Sequence, residues 1–303
     1  MPRAVMVGAV TSTQVAARAV IEAPDWQLSA LATLPPHQSG RHSDYVDLSS
    51  LCEDAGARLI HAAQINDEDV IAQIREAEPD LVLVIGWSQI CRAEFLGIRP
   101  GRVFGYHPAA LPRLRGRAPI PWTILAGEPI TAGTIFRIDE GVDSGDIIAQ
   151  RFFHVAERET AQSLYRKHMA ALPLLIEDTL AAASRSDGPI SGEPQQECYA
   201  TYGAKRTPED GRIDWSAPTA DIDRLIRAVG RPYPGAFSDF GTNRLTIWSA
   251  KPHPSCTSHM ALPGQIVAAS GGSIWVRTLD GTMEIDEWEV AGGKWPKIHD
   301  RLR

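Results

Sequence analysis

The chain has 303 residues, of which 44% are hydrophobic and 22% charged, and this composition excludes a disordered, collagen-like or low-complexity protein. The net charge is −7 and no run of five or six lysines or arginines occurs, which disfavours a general nucleic-acid binder. The four cysteines lie far apart without a CxxC pair, so free thiols in a reducing cytoplasm are favoured over a zinc or disulfide framework. The first ten residues carry one arginine and a short apolar stretch, from which we expect neither a signal peptide nor a membrane span.

The first 185 residues alternate between short apolar segments and amphipathic segments. The apolar segments predict strands at 4–10, 28–34, 80–85, 101–106, 131–138 and 147–154. The amphipathic segments predict helices at 13–23, 48–56, 67–78, 118–126 and 160–184, with a polar surface loop at 35–47. Strands that alternate with helices are typical of a parallel sheet with crossover helices, so we expect a Rossmann-like α/β domain over residues 1–185.

The rest of the chain has a different pattern. Residues 184–196 are rich in Ser, Gly, Pro and Gln, which indicates a domain boundary, and we assign 186–205 to a linker. One predicted helix at 220–229 is followed by short predicted strands at 244–249, 265–269, 273–278 and 282–290. Turn residues separate these strands at short intervals, so we expect a smaller, mostly β, barrel-like domain over residues 206–303.

Two segments follow predicted strands and therefore lie where open parallel sheets bind ligands. Gly86–Ile90 follows the strand at 80–85, and His107–Arg117 follows the strand at 101–106. A single histidine at a strand end is more often structural than catalytic. The prolines in His107–Arg117 fix the backbone, and its three arginines could clamp an anion or cap a helix, although a solvated loop has the same composition.

A third segment, Asp139–Asp146, contains four carboxylates and two glycines. It could be an acidic turn, and the spacing of an EF-hand calcium loop is absent. A functional interpretation places one carboxylate against the imidazole of His107, where it would orient the ring and favour its protonated form. Such a ring donates a proton or a hydrogen bond to a developing oxyanion. No GxGxxG, Walker A, HExxH or GxSxG motif occurs, which disfavours nicotinamide and nucleotide-triphosphate enzymes.

The sequence HPAALPRLRGRAPIPWTILAGE, followed by DEGVDSGDIIAQ, resembles the signature of 10-formyltetrahydrofolate-dependent formyltransferases. This family contains methionyl-tRNA formyltransferase, the sugar N-formyltransferases and the hydrolase domain of formyltetrahydrofolate dehydrogenase. His107 and Asp143 are 36 residues apart, as in the family. The segment KRTPEDGRIDWSAPTADIDRLIRAVGRPYPGAFSDFGTNRLTIWSA resembles the family's C-terminal barrel-like domain, and the whole pattern is most similar to the formyltransferase that acts on UDP-4-amino-4-deoxy-L-arabinose. The resemblance covers nearly the whole chain and is weakest at 255–303.

The resemblance implies an enzyme with 10-formyltetrahydrofolate as co-substrate and no metal. It implies that His107 stabilises and protonates the tetrahedral oxyanion, and that Asp143 tunes this histidine and helps to deprotonate the attacking amine. It also implies a set of folate-binding positions, which are Gln89, Ile90, Cys91, Arg117, Asp139, Glu140, Gly141 and Val142. Dimers are common in the family, but no feature of this sequence demonstrates one.

The chain departs from the family at Gly105, where the transferases usually carry an asparagine two residues before the histidine. Losing one oxyanion donor typically costs on the order of a hundredfold in rate. The hydrolase domain of the dehydrogenase also lacks this asparagine. Either another donor replaces it, such as Gln89, Ser88 or a water molecule, or the chemistry is altered toward hydrolysis of the formyl group.

The acceptor amine is predicted from the loop at 34–50. Methionyl-tRNA formyltransferases usually have a basic loop here, whereas this one contains a single arginine and two aspartates, which disfavours nucleic acid. Arg41, His42 and Tyr45 are candidates for contacting a sugar nucleotide, although a mobile surface loop is equally consistent. We therefore expect a cytoplasmic enzyme that formylates a small-molecule amine, most simply a free or nucleotide-linked amino sugar for polysaccharide biosynthesis. Methionyl-tRNA formyltransferase and formyltetrahydrofolate hydrolase remain the alternatives.

Overall fold

A computed structural model describes residues 1–41, 44–253, 259–291 and 295–303, with the backbone but not the side chain of Arg41. The chain divides into two compact units. The first unit comprises Met1–Pro119, Ile130–His154 and Tyr165–Ala204, and the second comprises Ile120–Pro129, Val155–Leu164 and Lys205–Arg303. The division that we predicted from the sequence, into domains at 1–185 and 206–303 with a linker at 186–205, stays a prediction.

The strands before Lys205 are β1 (Arg3–Val7), β2 (Gln27–Thr33), β3 (Arg58–His61), β4 (Leu81–Val84), β5 (Val103–His107), β6 (Arg115–Gly116), β7 (Ile130–Arg137), β8 (Ile147–His154) and β9 (Tyr202–Gly203). The helices in the same part of the chain are α1 (Thr11–Glu22), α2 (Ser49–Ala55), α3 (Glu68–Glu76), α4 (Ala93–Leu96), α5 (Pro119–Leu125) and α6 (Ala161–Ala183). A seven-stranded sheet has the order β3-β2-β1-β4-β5-β7-β8, and β6 pairs separately with β9.

The pairing within the large sheet is parallel from β3 to β5. This confirms the predicted Rossmann-like, mostly parallel architecture. β7 and β8, however, are antiparallel to their neighbours. They are joined by a loop without a crossover helix, so β8 runs back beside β7. The central strand β4 is buried along its whole length, which is why its sequence LVLV is apolar at every position rather than at alternate ones.

Two apolar clusters cover the two faces of this sheet. Ala4 and Met6 of β1 pack with α1 and α6, whereas Val5 and Val7 pack with α3 on the other face. This alternation follows from the two-residue period of a strand. Because β4 and β5 are parallel neighbours, the loops that follow them leave the sheet at the same edge. These loops contain the first two predicted site segments.

The second unit contains α7 (Thr219–Val229) and the strands β10 (Ala236–Phe240), β11 (Asn243–Pro252), β12 (Ile266–Ser270), β13 (Ser273–Arg277) and β14 (Thr282–Ala291). Its antiparallel sheet has the order β10-β11-β14-β13-β12, which confirms a mostly β second domain. The C-terminal segment joins the two edge regions. Asp239 of β10 and Arg303 exchange backbone hydrogen bonds of 2.6 and 2.9 Å, while the amide of Leu302 donates to the carbonyl of Gly264 at 2.8 Å. The sheet is therefore barrel-like.

No helix in the described ranges combines the length and the apolar character that crossing a membrane requires.

Candidate active site

His107 is the last residue of β5, and its imidazole is buried. Its Nε2 lies 2.7 Å from the carbonyl oxygen of Leu114, and its Nδ1 lies 3.5 Å from Oδ2 of Asp143. A carbonyl oxygen can only accept a hydrogen bond, so Nε2 carries a proton in this arrangement. Nδ1 then faces the carboxylate of Asp143, which orients the ring.

Asp143 is held in place by backbone and side-chain hydrogen bonds. Its Oδ2 accepts a hydrogen bond of 2.7 Å from the amide of Gly116. The side-chain amide of Gln195 donates to the carbonyl oxygens of Asp143 and Gly145 at 2.8 and 2.7 Å. The loop leaves β7 beside Val103, where the amide of Ile138 donates to the Val103 carbonyl, and folds back toward His107. These contacts set the carboxylate facing the imidazole.

The segment after His107 is tied to β7 and β8. The hydroxyl of Thr134 donates to the carbonyl of Ala109 at 2.7 Å. The amide of Gln150 donates to the carbonyl of Leu111 at 3.1 Å and to Oγ1 of Thr134 at 2.8 Å. Since Thr134 also stands opposite His107 in the strand pairing, the same neighbouring strand orients both the histidine and the loop that follows it.

The three arginines of His107–Arg117 do not act as one anion clamp. Arg115 is fully buried and forms two hydrogen bonds with Glu197, at 2.7 and 3.0 Å. Its Nε and Nη2 also donate to Oε1 of Gln195. The guanidinium of Arg115 is thus already engaged within the protein, by Glu197 and Gln195. Arg117 has an exposed side chain, and its amide donates to the carbonyl of Gly203 at 2.9 Å.

The first predicted folate loop follows β4. The side-chain amide of Gln89 donates to the carbonyl of Ala63 at 2.8 Å and accepts from the amide of Ile65 at 2.9 Å, so it is occupied in shaping the loop rather than available to an oxyanion. Ile90 is apolar but 73% exposed. Cys91 is buried, and burial raises the pKa of its thiol to about 12, which keeps it neutral and unreactive near pH 7.

The second predicted folate loop is Asp139–Val142. Oδ1 of Asp139 accepts hydrogen bonds from the amide of Gly141 at 3.0 Å and the hydroxyl of Ser144 at 2.9 Å, so this carboxylate shapes its own loop. Glu140 is exposed, and Val142 is 53% exposed although it is apolar. Ile138, directly before this loop, packs in the same apolar cluster as Trp87 and Cys91 of the first loop. The start of the second loop and the first loop therefore pack on the same face of the sheet.

Gly105 lies under an aromatic ring. It stands opposite Phe136 in the pairing of β5 with β7. A Cβ atom at position 105 would lie 3.0 Å from Cε1 and Cζ of Phe136 and 3.2 Å from Cγ1 of Ile138. A larger residue would require Phe136 and Ile138 to shift by a few tenths of an ångström, so the close packing favours glycine at this position.

The three predicted acceptor-binding residues differ in how far they can be placed. Arg41 ends a short 3₁₀ helix within the stretch that we predicted as a loop, and His42 lies outside the described residues. Tyr45 is half-buried and forms a backbone bridge with Val10. Burial, and then the negative charge of Asp47, raise the pKa of its hydroxyl, which stays a neutral donor.

Residues 44–46 are anchored rather than free. The amide of Val46 donates to the carbonyl of Ala9 at 3.0 Å, and the hydroxyl of Tyr165 donates to the carboxylate of Asp44 at 2.9 Å. This part of the segment lies against the connection between β1 and α1, at the sheet edge where ligands bind in α/β proteins.

Three important residues were missed by the sequence analysis: Gln195, Gly116 and Phe136. Gln195 lies in the segment predicted as a linker, 52 residues from the aspartate whose carbonyl it holds. Gly116 acts through its backbone amide, and Phe136 acts by filling space over Gly105. No local motif marks any of these roles. Among the described residues, no group of three or more His, Cys, Asp or Glu side chains is placed to hold a metal ion.

Comparison with known families gives matches over both units. Residues 19–176 match the family described as "Formyl transferase". Residues 205–303 match the family described as "Formyl transferase, C-terminal domain".

Solved structures extend the comparison. HypX from Aquifex aeolicus, in complex with tetrahydrofolic acid, is 20% identical to this chain, with a TM-score of 0.65. The match covers 94% of this chain and 44% of HypX, so this chain spans less than half the length of HypX. WlaRD, a sugar 3N-formyl transferase solved in the presence of dTDP and 5-N-formyl-THF, is 16% identical with a TM-score of 0.68, covering 94% of this chain and 97% of WlaRD. An N-formyltransferase from Helicobacter canadensis, with folinic acid and dTDP-3-aminofucose, is 16% identical with a TM-score of 0.66, covering 95% of this chain and 100% of the other. At these identities the likeness establishes a shared fold.

Proposed function

The chain belongs to the formyl transferase family, and on that premise we propose that it transfers the formyl group of 10-formyltetrahydrofolate to the primary amine of an amino sugar. The observation that carries this proposal is the contact between His107 and Asp143, at 3.5 Å between Nδ1 and Oδ2. The pair lies at the sheet edge where ligands bind in this class of fold. An imidazole beside a fixed carboxylate is suited to a reaction that develops an oxyanion and releases a proton.

The proposed reaction is a direct transfer. The neutral amine attacks the formyl carbon, a carbon–nitrogen bond forms, and the formyl oxygen becomes an oxyanion. Nε2 of His107 donates a hydrogen bond to this oxyanion in place of the Leu114 carbonyl. Asp143 takes part in removing the proton from the amine. The bond from the formyl carbon to N10 then breaks, N10 receives a proton, and tetrahydrofolate leaves. Holding both substrates in one geometry supplies much of the acceleration.

The folate is proposed to lie against the two loops that share the apolar cluster. Ile90 and Val142 are apolar side chains left exposed on these loops, at 73% and 53%. The loops also offer backbone amides and carbonyls to the row of donors and acceptors on a pterin. HypX, WlaRD and the Helicobacter canadensis enzyme were each solved with a folate, which supports this assignment.

The acceptor is proposed to be a nucleotide-linked or free amino sugar. Two of the similar structures contain dTDP or a dTDP-linked aminofucose, and this chain covers nearly the full length of both proteins. The loop at 34–50 lacks the basic residues that a tRNA acceptor would require. Residues 44–46 are anchored beside the start of α1, where Tyr45 would contact the acceptor. A cytoplasmic role in polysaccharide biosynthesis follows from this acceptor class.

One observation favours a second candidate, the hydrolysis of 10-formyltetrahydrofolate. Position 105 is glycine, and Phe136 packs closely over it, so the asparagine donor of the transferases is absent. The hydrolase domain of formyltetrahydrofolate dehydrogenase also lacks this asparagine, and in hydrolysis water attacks the formyl carbon in place of the amine. This candidate differs from the first in needing no amine at all.

The two candidates separate in one assay of tetrahydrofolate release. The protein is mixed with 10-formyltetrahydrofolate alone, with dTDP-3-aminofucose, with UDP-4-amino-4-deoxy-L-arabinose, with free amino sugars, and with methionyl-tRNA. We expect release only with an amino sugar and equal to the formylated product. Release without amine supports the hydrolase, and release only with methionyl-tRNA overturns both proposals. A variant Arg18→Ala, changed on an exposed surface of α1, is the matched control.

A further inference from the structure

Two side-chain amides join the loop after β3 to the loop after β4. Nδ2 of Asn66 donates a hydrogen bond to the carbonyl of Ile90 at 2.8 Å, and its Oδ1 accepts one from the amide of Arg92 at 2.8 Å. Gln89 makes the reciprocal pair of hydrogen bonds, from the loop after β4 to the backbone of the loop after β3. Each amide therefore uses both its donor and its acceptor to hold the facing loop.

The side chain of Asn66 serves the loop after β4 rather than its own helix. Asn66 directly precedes Asp67, the residue that caps the start of α3. Asparagine at a helix start commonly accepts a hydrogen bond from an amide of the first turn. Here both polar atoms of Asn66 are instead engaged with backbone groups 24 and 26 residues further along the chain. The role of this side chain is thus to shape a distant loop.

The two hydrogen bonds of Asn66 determine how Ile90 is presented. They fix the backbone on both sides of Cys91, which is 4% exposed and packs in the apolar cluster on that face of the sheet. Ile90, whose own carbonyl is held, is left 73% exposed. An apolar ligand that covers this side chain would gain stabilisation from its burial. A loop that is already held in shape also loses less conformational entropy when the ligand binds.

We propose that Asn66 is a positioning residue for the folate. It holds residues 90–92 in the shape that contacts the pterin, and it thereby sets the affinity for 10-formyltetrahydrofolate. This inference rests on the proposed function, because it needs a folate on this loop. Within the part of the chain that the structure describes, Asn66 has no hydrogen bond to His107 or Asp143. Its effect is therefore on folate binding rather than on the chemical step.

Calorimetric titration with 5-formyltetrahydrofolate measures this affinity without turnover. Asn66→Ala removes both hydrogen bonds and should bind the folate about tenfold more weakly. Asn66→Asp keeps an oxygen for the amide of Arg92 but sets a second oxygen against the carbonyl of Ile90, so it should lose at least as much. Gln64→Ala is the matched control, since Gln64 is an exposed amide in the same loop. It should bind as the unchanged protein does.

Kinetics separate a positioning role from a loss of structure. In the assay of tetrahydrofolate release, Asn66→Ala should raise KM for 10-formyltetrahydrofolate about tenfold and change kcat by less than about threefold. A loss of structure would lower kcat instead, and thermal melts of each variant detect it. Asn66→Ala combined with Gln89→Ala should weaken binding by less than the product of the two separate losses, because the second change acts on loops that are already released.

The results that overturn the inference differ from those that refute formyl transfer. Equal folate affinity in Asn66→Ala and the unchanged protein, an equal loss in Gln64→Ala, or a fall in kcat at unchanged KM would overturn the role of Asn66 and leave formyl transfer in place. Failure of the unchanged protein to bind 5-formyltetrahydrofolate would refute the proposed folate site and this inference with it. Folate binding that weakens in Asn66→Ala, in a protein that formylates no amine, would support the role of Asn66 and refute the transfer.

Discussion

Replacing Gly105 with alanine should destabilise the protein, because the new methyl group would crowd the ring of Phe136. The Cβ would lie 3.0 Å from two ring carbons and 3.2 Å from Cγ1 of Ile138. Carbon atoms in contact prefer a separation of about 3.5–4.0 Å. Overpacking of this kind costs about 1–3 kcal/mol. Gly40→Ala is the matched control, since nothing lies within 4 Å of its added Cβ.

A double-mutant cycle makes this prediction specific to the ring. Phe136→Leu alone creates a partial cavity and should cost less than the about 3–5 kcal/mol of a phenylalanine-to-alanine change. The pair Gly105→Ala and Phe136→Leu should lose less than the sum of the single losses, with a coupling of about 1 kcal/mol or more. Guanidinium unfolding of the four proteins measures this coupling. Additive losses would refute the packing reason for Gly105.

Further predictions concern the supports of the site. Gln195→Ala removes the hydrogen bonds that hold the carbonyls of Asp143 and Gly145, so Asp143 is less firmly positioned against His107. We expect kcat to fall about 10–100-fold with a small change in Tm. An unchanged kcat would contradict a positioning role for Gln195. Gly116→Ala, at φ 94° with its Cβ 2.9 Å from a carbonyl oxygen, should cost about 1–3 kcal/mol in thermal unfolding and lower kcat. Burial, and then the charge of His107, lower the pKa of His168 from 6.5 to about 3. Below pH 6.5 the unfolded chain therefore binds a proton at His168 that the folded protein does not bind. This residue's contribution to the free energy of unfolding is fully present above pH 6.5 and falls by about 1.4 kcal/mol per pH unit down to about pH 3. In His168→Phe the free energy of unfolding should change less between pH 7 and pH 5 than it does in the unchanged protein. An equal change in both proteins would contradict the role of His168.

The sequence predicts the fold wherever burial is continuous along the chain. β4 is found almost at its predicted bounds because a strand buried on both faces must be apolar at each position. β3 was missed, because its four residues RLIH include only two apolar side chains. The antiparallel direction of β7 was also not predicted, since strand direction depends on how the chain returns to the sheet rather than on the strand's own residues.

The candidate site is predicted only in part, for a related reason. His107 and Asp143 lie in motifs whose residues and spacing are visible in the sequence, and the fold sets them 3.5 Å apart. Arg115 lies in one of the same motifs, yet it serves to join its loop to Glu197 and Gln195. Its burial depends on residues about 80 positions away, which no local pattern reveals. The same holds for Phe136 over Gly105, because contacts between strands are set by register.

We propose that His107 carries formyl transfer to an amine. The most direct test compares the unchanged protein with His107→Asn in the amino-sugar-dependent release of tetrahydrofolate. We expect the unchanged protein to release one tetrahydrofolate per formylated amino sugar, and a folded His107→Asn variant to react about 10²–10⁴-fold more slowly. Full activity in that variant, or no amino sugar formylated by the unchanged protein, would contradict the role of His107.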